Sequence, residues 1–232
     1  MKQDTGLLDT QETEQQKGLS RRKFFSYAGV GLLTATALAS CKKDNNPVID
    51  GQNIDLGSGD IGILNYAYAL EQIEASFYTS VMANRYTGMT ASEQQMLDDI
   101  RQHEIAHREF FKNALGSSVI PSLTIRFTNV DFSSRDSVLA TAKAFEDLGV
   151  AAYNGAGKLI EDVNYLLLAG KIVSVEARHA AYIRDLISNG SFADNTIIDS
   201  NGLEMSKSPS EVLAIAGTFI KDTITANNLP TS

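Results

Sequence analysis

Cysteine is almost missing from this 232-residue chain: Cys41 stands alone. No intramolecular disulfide can form, and the redox compartment has to be read from something other than pairing. Proline is scarce as well, with four in all, so few breaks are forced on helices. No run of basic residues marks a nucleic-acid surface. No repeat of solenoid period is present either. What the chain does have is apolar residues, 43% of the total, enough for a well-filled core in one domain. Twenty Lys/Arg against 28 Asp/Glu give a formal charge of −8. Residues 1–40 hold five Lys/Arg and four Asp/Glu, a net +1, so the remainder carries −9. That acidity argues against a phosphate backbone as partner and is compatible with cation uptake.

The first forty residues read as an address. A polar stretch leads to Ser20-Arg21-Arg22-Lys23-Phe24-Phe25 and then to a weakly apolar segment, Ser26 to Ala39. That segment is too short for a bilayer core, which needs ~20 residues. Adjacent arginines ahead of it resemble a twin-arginine export signal. Leu38-Ala39-Ser40-Cys41 resembles a bacterial lipoprotein box, which implies lipidation of Cys41 after removal of residues 1–40. Residues 41–60 are polar, with Asn, Asp, Gly and Pro, and read as a flexible tether. The expectation is an exported protein, periplasmic or anchored at the outer membrane, that meets the membrane only through its N-terminal lipid.

From Ile61 the apolar spacing is helical. Ile61, Leu64, Tyr68, Glu71, Ala75, Tyr78 and Met82 alternate in steps of three and four, with Asp60 as expected N-cap. Thr90-Ala91-Ser92-Glu93 is a capping box that opens a second helix, with Met96, Ile100, His103, His107, Phe110 and Ala114 as its expected inner stripe and Gly116 as its stop. Residues 117–134 read as an extended connection. A third helix is expected from about Asp136, with Leu139, Ala142, Phe145, Gly149 and Tyr153 inward, and a fourth over roughly Ile172 to Ile187, with Val175, His179, Tyr182 and Leu186 on one face. Short turns within each pair and one long span between the pairs predict an all-α four-helix bundle over residues 61–190 with a single crossover. Residues 191–232 form a loop and an extra C-terminal helix, capped by Ser208-Pro209-Ser210-Glu211, whose Val212, Ile215, Phe219 and Ile220 are expected to pack outside the bundle.

Two of the three histidines end a Glu-x-x-His: Glu104-Ile105-Ala106-His107 and Glu176-Ala177-Arg178-His179. Residues at i and i+3 on a helix share one face. The other two helices each supply a glutamate among apolar neighbours, Glu71 and Glu146. Four buried carboxylates are costly unless cations neutralise them. Two divalent ions cancel their charge, and the mixture of oxygen and nitrogen ligands without thiolates suits iron, manganese or zinc.

Glu71 with Tyr78 seven residues on, Glu104-x-x-His107, Glu146 and Glu176-x-x-His179 resemble the di-iron ferritin-like superfamily of ferritins, bacterioferritins and rubrerythrins. Val175 to Tyr182 is similar to a branch of exported ferritin-like proteins that includes the desiccation-related type. The resemblance covers about Ile61 to Asn189. It implies a ferritin-like bundle in which Glu71, Glu104, His107, Glu146, Glu176 and His179 ligate two metal ions, iron foremost, with Glu104 and Glu176 as bridges. It also implies oxygen or peroxide as reaction partner, through iron oxidation or peroxide removal. Glu74, three residues after Glu71, is an alternative ligand or a supporting base, and His103 is an extra imidazole beside the site. Tyr78, Tyr153 and Tyr182 read as core tyrosines with satisfied hydroxyls, Tyr78 and Tyr182 being set next to the ligands. The catalytic residues themselves are not specified, and association with further copies is left open.

Two other readings compete. His103-Glu104-Ile105-Ala106-His107 also spells the helix of a zinc protease, but the extended pattern needs histidine where Asn113 stands and glycine where Phe110 stands. It leaves Glu71, Glu146 and the second Glu-x-x-His unused. A non-catalytic helical protein for stress protection or surface interaction, with a degenerate metal site, is the remaining alternative.

Overall fold

In the computed structural model, which describes residues 51–231, four helices of similar length carry the fold. They are α1 (Gly59–Ala83), α2 (Ala91–Leu115), α3 (Arg135–Gly157) and α4 (Val163–Ile187). The expected export signal, Arg21, Arg22 and Cys41 lie outside the described residues. Helix α1 packs on α2 through the turn at residues 84–90, and α3 on α4 through residues 158–162. Residues 116–134 cross from one pair to the other, so the bundle has a single long crossover.

The helix boundaries follow local chemistry. Thr90 Oγ1 accepts from the Glu93 N–H at 3.1 Å, and the Glu93 carboxylate accepts from the Thr90 N–H at 2.9 Å, closing the capping box of α2. Ser134 and Asp162 cap α3 and α4 more simply, their side chains accepting from the Ser137 and Asn164 N–H groups. Helix α1 departs from expectation: Ser58 is its N-cap, while Asp60 lies in its first turn. The Asp60 carboxylate accepts from the backbone N–H groups of Glu161 and Asp162 at 2.9 and 2.8 Å, fastening the start of α1 to the α3–α4 turn. Helix α4 begins at Val163 rather than near Ile172, because Val163, Leu166 and Leu167 face outward and leave no inward period to read.

The inner stripe of α2 also differs from expectation. Leu97, Ile100, Glu104, Phe111 and Leu115 are buried, whereas Met96 and Phe110 are half-buried and His103 and Ala114 exposed. The helix is turned by about one residue, roughly 100°, from the stripe that its apolar spacing predicts.

Two short parallel strands close the outside of the bundle. Strand β1 (Asn53–Asp55) pairs with β2 (Thr223–Thr225), Ile54 opposite Ile224. The stretch expected to be a loose tether is therefore built into the fold from β1 onward, with Ile54 and Leu56 in the core. Helix α5 (Pro209–Ala216) carries the expected capping box and buries Val212, but Ile215 is exposed. Along this return path the chain runs hard against α3: a Cβ at Gly155 would lie 1.8 Å from the Lys207 carbonyl oxygen.

These outer segments explain why α1 can be buried without a break from Gly62 to Ala75. A helix enclosed on every side has to be apolar or have its polar groups satisfied. Asn65 donates to the carbonyls of Leu56 (3.1 Å) and Ser118 (3.0 Å) and accepts from the Ile120 N–H (3.0 Å). Gln72 accepts from the Leu123 N–H at 2.8 Å. Asp222 joins the two ends, accepting from the N–H groups of Gln52 and Thr124. Phe77, Phe127, Phe145 and Phe219 stack edge to face where α1, α3, the crossover and the C-terminal segment meet.

Asn65→Ala removes three hydrogen bonds, two of them buried, and at about 1 kcal/mol each it should destabilise the protein by about 3 kcal/mol. Chemical denaturation reads this directly, and a loss too small to measure would mean that the crossover is held by other contacts.

Candidate metal centre

Each long helix brings candidate ligands to the middle of the bundle from near its own midpoint: Glu71 from α1, Glu104 and His107 from α2, Glu146 from α3, Glu176 and His179 from α4. The four glutamates are fully enclosed, with no exposed surface. Ligand atoms of Glu71, Glu104, His107 and Glu176 all lie within 4.8 Å of one another, and so do those of Glu104, Glu146, Glu176 and His179. The two groups share Glu104 and Glu176. All six residues that the sequence nominated are thus brought together.

Both imidazoles turn Nδ1 toward the carboxylates. His107 Nδ1 lies 2.7 Å from Glu176 Oε1, 3.5 Å from Glu71 Oε2 and 3.6 Å from Glu104 Oε2. His179 Nδ1 lies 2.8 Å from Glu104 Oε1 and 3.5 Å from oxygens of Glu146 and Glu176. These contacts are close, yet none has the direction of an in-line N–H···O hydrogen bond. Both Nδ1 atoms, both oxygens of Glu104 and Glu176, and one oxygen each of Glu71 and Glu146 remain without a hydrogen-bond partner. Buried polar atoms are rarely left in this condition. Lone pairs converging on a common point are what a metal ion requires.

The remaining oxygens of Glu71 and Glu146 are held from outside. Tyr153 on α3 donates to Glu71 Oε1, and Tyr78 on α1 donates to Glu146 Oε1. Tyr153 therefore has the supporting place that the sequence reading gave to Tyr182. Tyr182 stands one turn beyond His179, half-buried and outside the central layer, where its charged neighbours are Glu93 and Asp185. The available signal for Tyr153 was its spacing, seven residues after Glu146 as Tyr78 is seven after Glu71.

His103 does stand beside the centre. It is exposed, its ring is stacked on that of His179 with 5.1 Å between centroids, and its Nδ1 is 2.9 Å from His179 Nε2. Glu74 is buried but belongs to neither ligand group; its carboxylate lies instead against Gly149 of α3.

Charge at the centre is unevenly distributed. Burial, then the neighbouring Glu176, pushes the Glu104 carboxyl up to about 8. Burial likewise raises Glu71 and Glu146, partly offset by His107 and His179. Burial, followed by the charges of Glu104 and Glu176, holds Glu74 well above the usual range. Glu176 alone is drawn down, to about 2, because its contacts with both imidazoles outweigh the burial that would raise it. His179 is pushed up to about 12 against the opposing effect of burial, by Glu104, Glu146 and Glu176. His107 is raised by its carboxylates in the same way.

Residues 59–189 match the profile of a family described as a ferritin-like domain. No curated protein matches the chain.

The metal-free fold binds more protons at Glu104 than the unfolded chain does between pH 4.5 and about 8. Its stability should therefore fall as pH rises through that window, and the raised histidines extend the fall above pH 6.5. Metal ions must displace the same protons, so their apparent affinity should rise roughly tenfold per pH unit for each proton released. Thermal unfolding with and without metal, at mildly acidic pH and near the upper end of that window, checks both signs. Equal metal-induced stabilisation at the two pH values would contradict them.

Proposed function

The chain belongs to the ferritin-like domain family, and from that premise we propose that its central cluster holds two divalent metal ions, iron in preference to manganese or zinc, and works as an oxidoreductase toward dioxygen or peroxide. The observation that carries this reading is the pair of four-ligand groups sharing Glu104 and Glu176, whose inward atoms have no other partner. Two ferrous ions in such a cluster supply two electrons which, with two protons, reduce peroxide to water or dioxygen to peroxide.

The protein's own residues prepare the site. Glu71 with His107, and Glu146 with His179, provide one terminal carboxylate and one imidazole on each side, and Glu104 and Glu176 lie between. Tyr78 and Tyr153 fix the terminal carboxylates, leaving one free oxygen on each to face inward. His103 occupies the outer nitrogen of His179 and so directs Nδ1 to the centre. Full burial of the four glutamates keeps bulk water away, while His107 retains 13% side-chain exposure at the edge of the cluster.

Export and lipidation of Cys41 are part of the same proposal, supported by the Arg21-Arg22 pair, the short apolar segment and the small residues before Cys41. The likeness of Val175 to Tyr182 to the exported, desiccation-related branch supports it too. Changing Arg21 and Arg22 together to lysine should block translocation, and normal processing of that variant would count against the twin-arginine route.

Metal analysis of protein reconstituted without oxygen tests the central claim. Wild type should take up two equivalents per chain, one per ligand group. Glu104→Ala/His107→Ala, with its helix content unchanged, should retain almost none. Negligible metal in both would end the dinuclear reading. Stopped-flow mixing of the loaded wild type with dioxygen and with peroxide then measures turnover.

A further inference from the structure

A small cavity lies between α1, α2, α3 and the exposed start of α4, on the Glu71 side of the bundle. Its volume, as space open to the centre of a water-sized molecule, is about 20 Å³. That is just above the roughly 10–15 Å³ needed to hold one water molecule. Gly157, Ile160 and Ala169 form a half-buried rim, and Leu70, Phe111 and Tyr153 a fully buried floor. The wall is carbon almost throughout. Tyr153 contributes its ring, while its hydroxyl is committed to Glu71. The same residue thus forms the floor of the cavity and the support of a predicted metal ligand.

We propose that this cavity binds dioxygen and delivers it to the metal centre, past Tyr153. The inference rests on the functional reading above and narrows its oxidant. Water entering a carbon-lined pocket loses hydrogen bonds that the wall cannot replace, so such pockets stay dry and accept apolar guests. Dioxygen is apolar, diatomic and small enough for the space. Peroxide, a donor and acceptor at both ends, meets the same penalty as water. The gradation from half-buried rim to enclosed floor gives the guest a direction, from the surface beside α4 toward Glu71.

Noble-gas binding to metal-free protein tests the cavity without reference to any reaction. Crystals held under xenon or krypton should show gas against Phe111 and Tyr153 in wild type and none in Ala169→Leu, which plugs the rim, or Ala152→Val, which fills the interior. Tyr66 also lines the cavity, and its buried hydroxyl has no partner; a water held in the cavity by that hydroxyl and undisplaced by gas overturns the proposal.

The kinetic arm uses protein loaded with Fe(II). In Ala169→Leu, oxidation by dioxygen should slow roughly tenfold, about 1.4 kcal/mol of barrier, while oxidation by peroxide is unchanged. Equal slowing by both oxidants, or by neither, overturns delivery through the cavity. Absent gas with metal uptake intact refutes this inference alone. Bound gas with no metal uptake refutes both delivery and the functional reading beneath it.

Discussion

Four carboxylates converge from four helices at a point that water does not reach, and each would cost several kcal/mol if left charged and unpaired. Everything else at the bundle centre answers that cost. Without metal, the answer is protons together with two imidazolium groups: Glu104, Glu71 and Glu146 are pushed toward their neutral forms, and Glu176 keeps its charge against His107 and His179. Two divalent cations, as proposed, would give a different answer with the same atoms, cancelling four negative charges. One arrangement would then serve both states, with metal and proton occupancy opposed and metal binding sensitive to pH.

Burial of those carboxylates imposes a further demand, that α1 be covered on the side away from the other helices. A bundle of four helices leaves such a face open to solvent. Here the crossover, the β1–β2 pair and α5 lie over it, and the polar residues that face them are matched to their backbone groups: Asn65 to Ile120 and Leu56, Gln72 to Leu123. On the other pair, Arg184 of α4 is almost fully enclosed and makes a two-pronged contact with Asp147 of α3 at 2.7 and 2.8 Å, then reaches Thr196 and Asp194 in the following loop. The outer segments are thus fastened to the helices that carry ligands, which fixes the ligand backbone from behind.

Much of this could be read from residue order because helix caps and i, i+3 pairs are local. The capping boxes at Thr90 and Ser208, the crossover, and the convergence of Glu71, Glu104, His107, Glu146, Glu176 and His179 all follow from spacing along single helices. The misread features depend on what lies across from a residue. Around His103 two stripes compete, one through His103 and Phe110 and one through Glu104 and Phe111. The true interior is polar there, so hydrophobicity points the wrong way by one residue. The start of α4 shows outward apolar side chains and hence no period. Strand β1 is three residues long and owes its existence to a partner about 170 positions away in the chain, as the Gln52 to Asp222 hydrogen bond shows. Tyr182 shares a face with His179 on paper, but a rise of about 1.5 Å per residue carries it out of the central layer.

The two helix pairs echo each other, and the places where the echo fails bear on how the centre works. Glu71, Tyr78, Glu104 and His107 correspond in order to Glu146, Tyr153, Glu176 and His179, and each tyrosine donates across the bundle to the other pair's glutamate. The exchange locks α1 to α3 in one register. Three residues after Glu71 comes Glu74; three after Glu146 comes Gly149. A Cβ at Gly149 would sit 3.0 Å from Glu74 Oε1, so the missing side chain on one helix is the space for the extra carboxyl of the other. One residue before Glu104 is His103, and one before Glu176 is Val175. The half that holds His179 therefore has an imidazole leading outward to solvent, and the half that holds His107 has none of that kind. Two ligand groups with the same composition are in this way set in different surroundings, one next to an exposed imidazole and the other next to the apolar cavity behind Tyr153. On the proposed dinuclear reading, an asymmetric environment of this sort would let the two metal positions differ in affinity and in access with the same types of side chain around each.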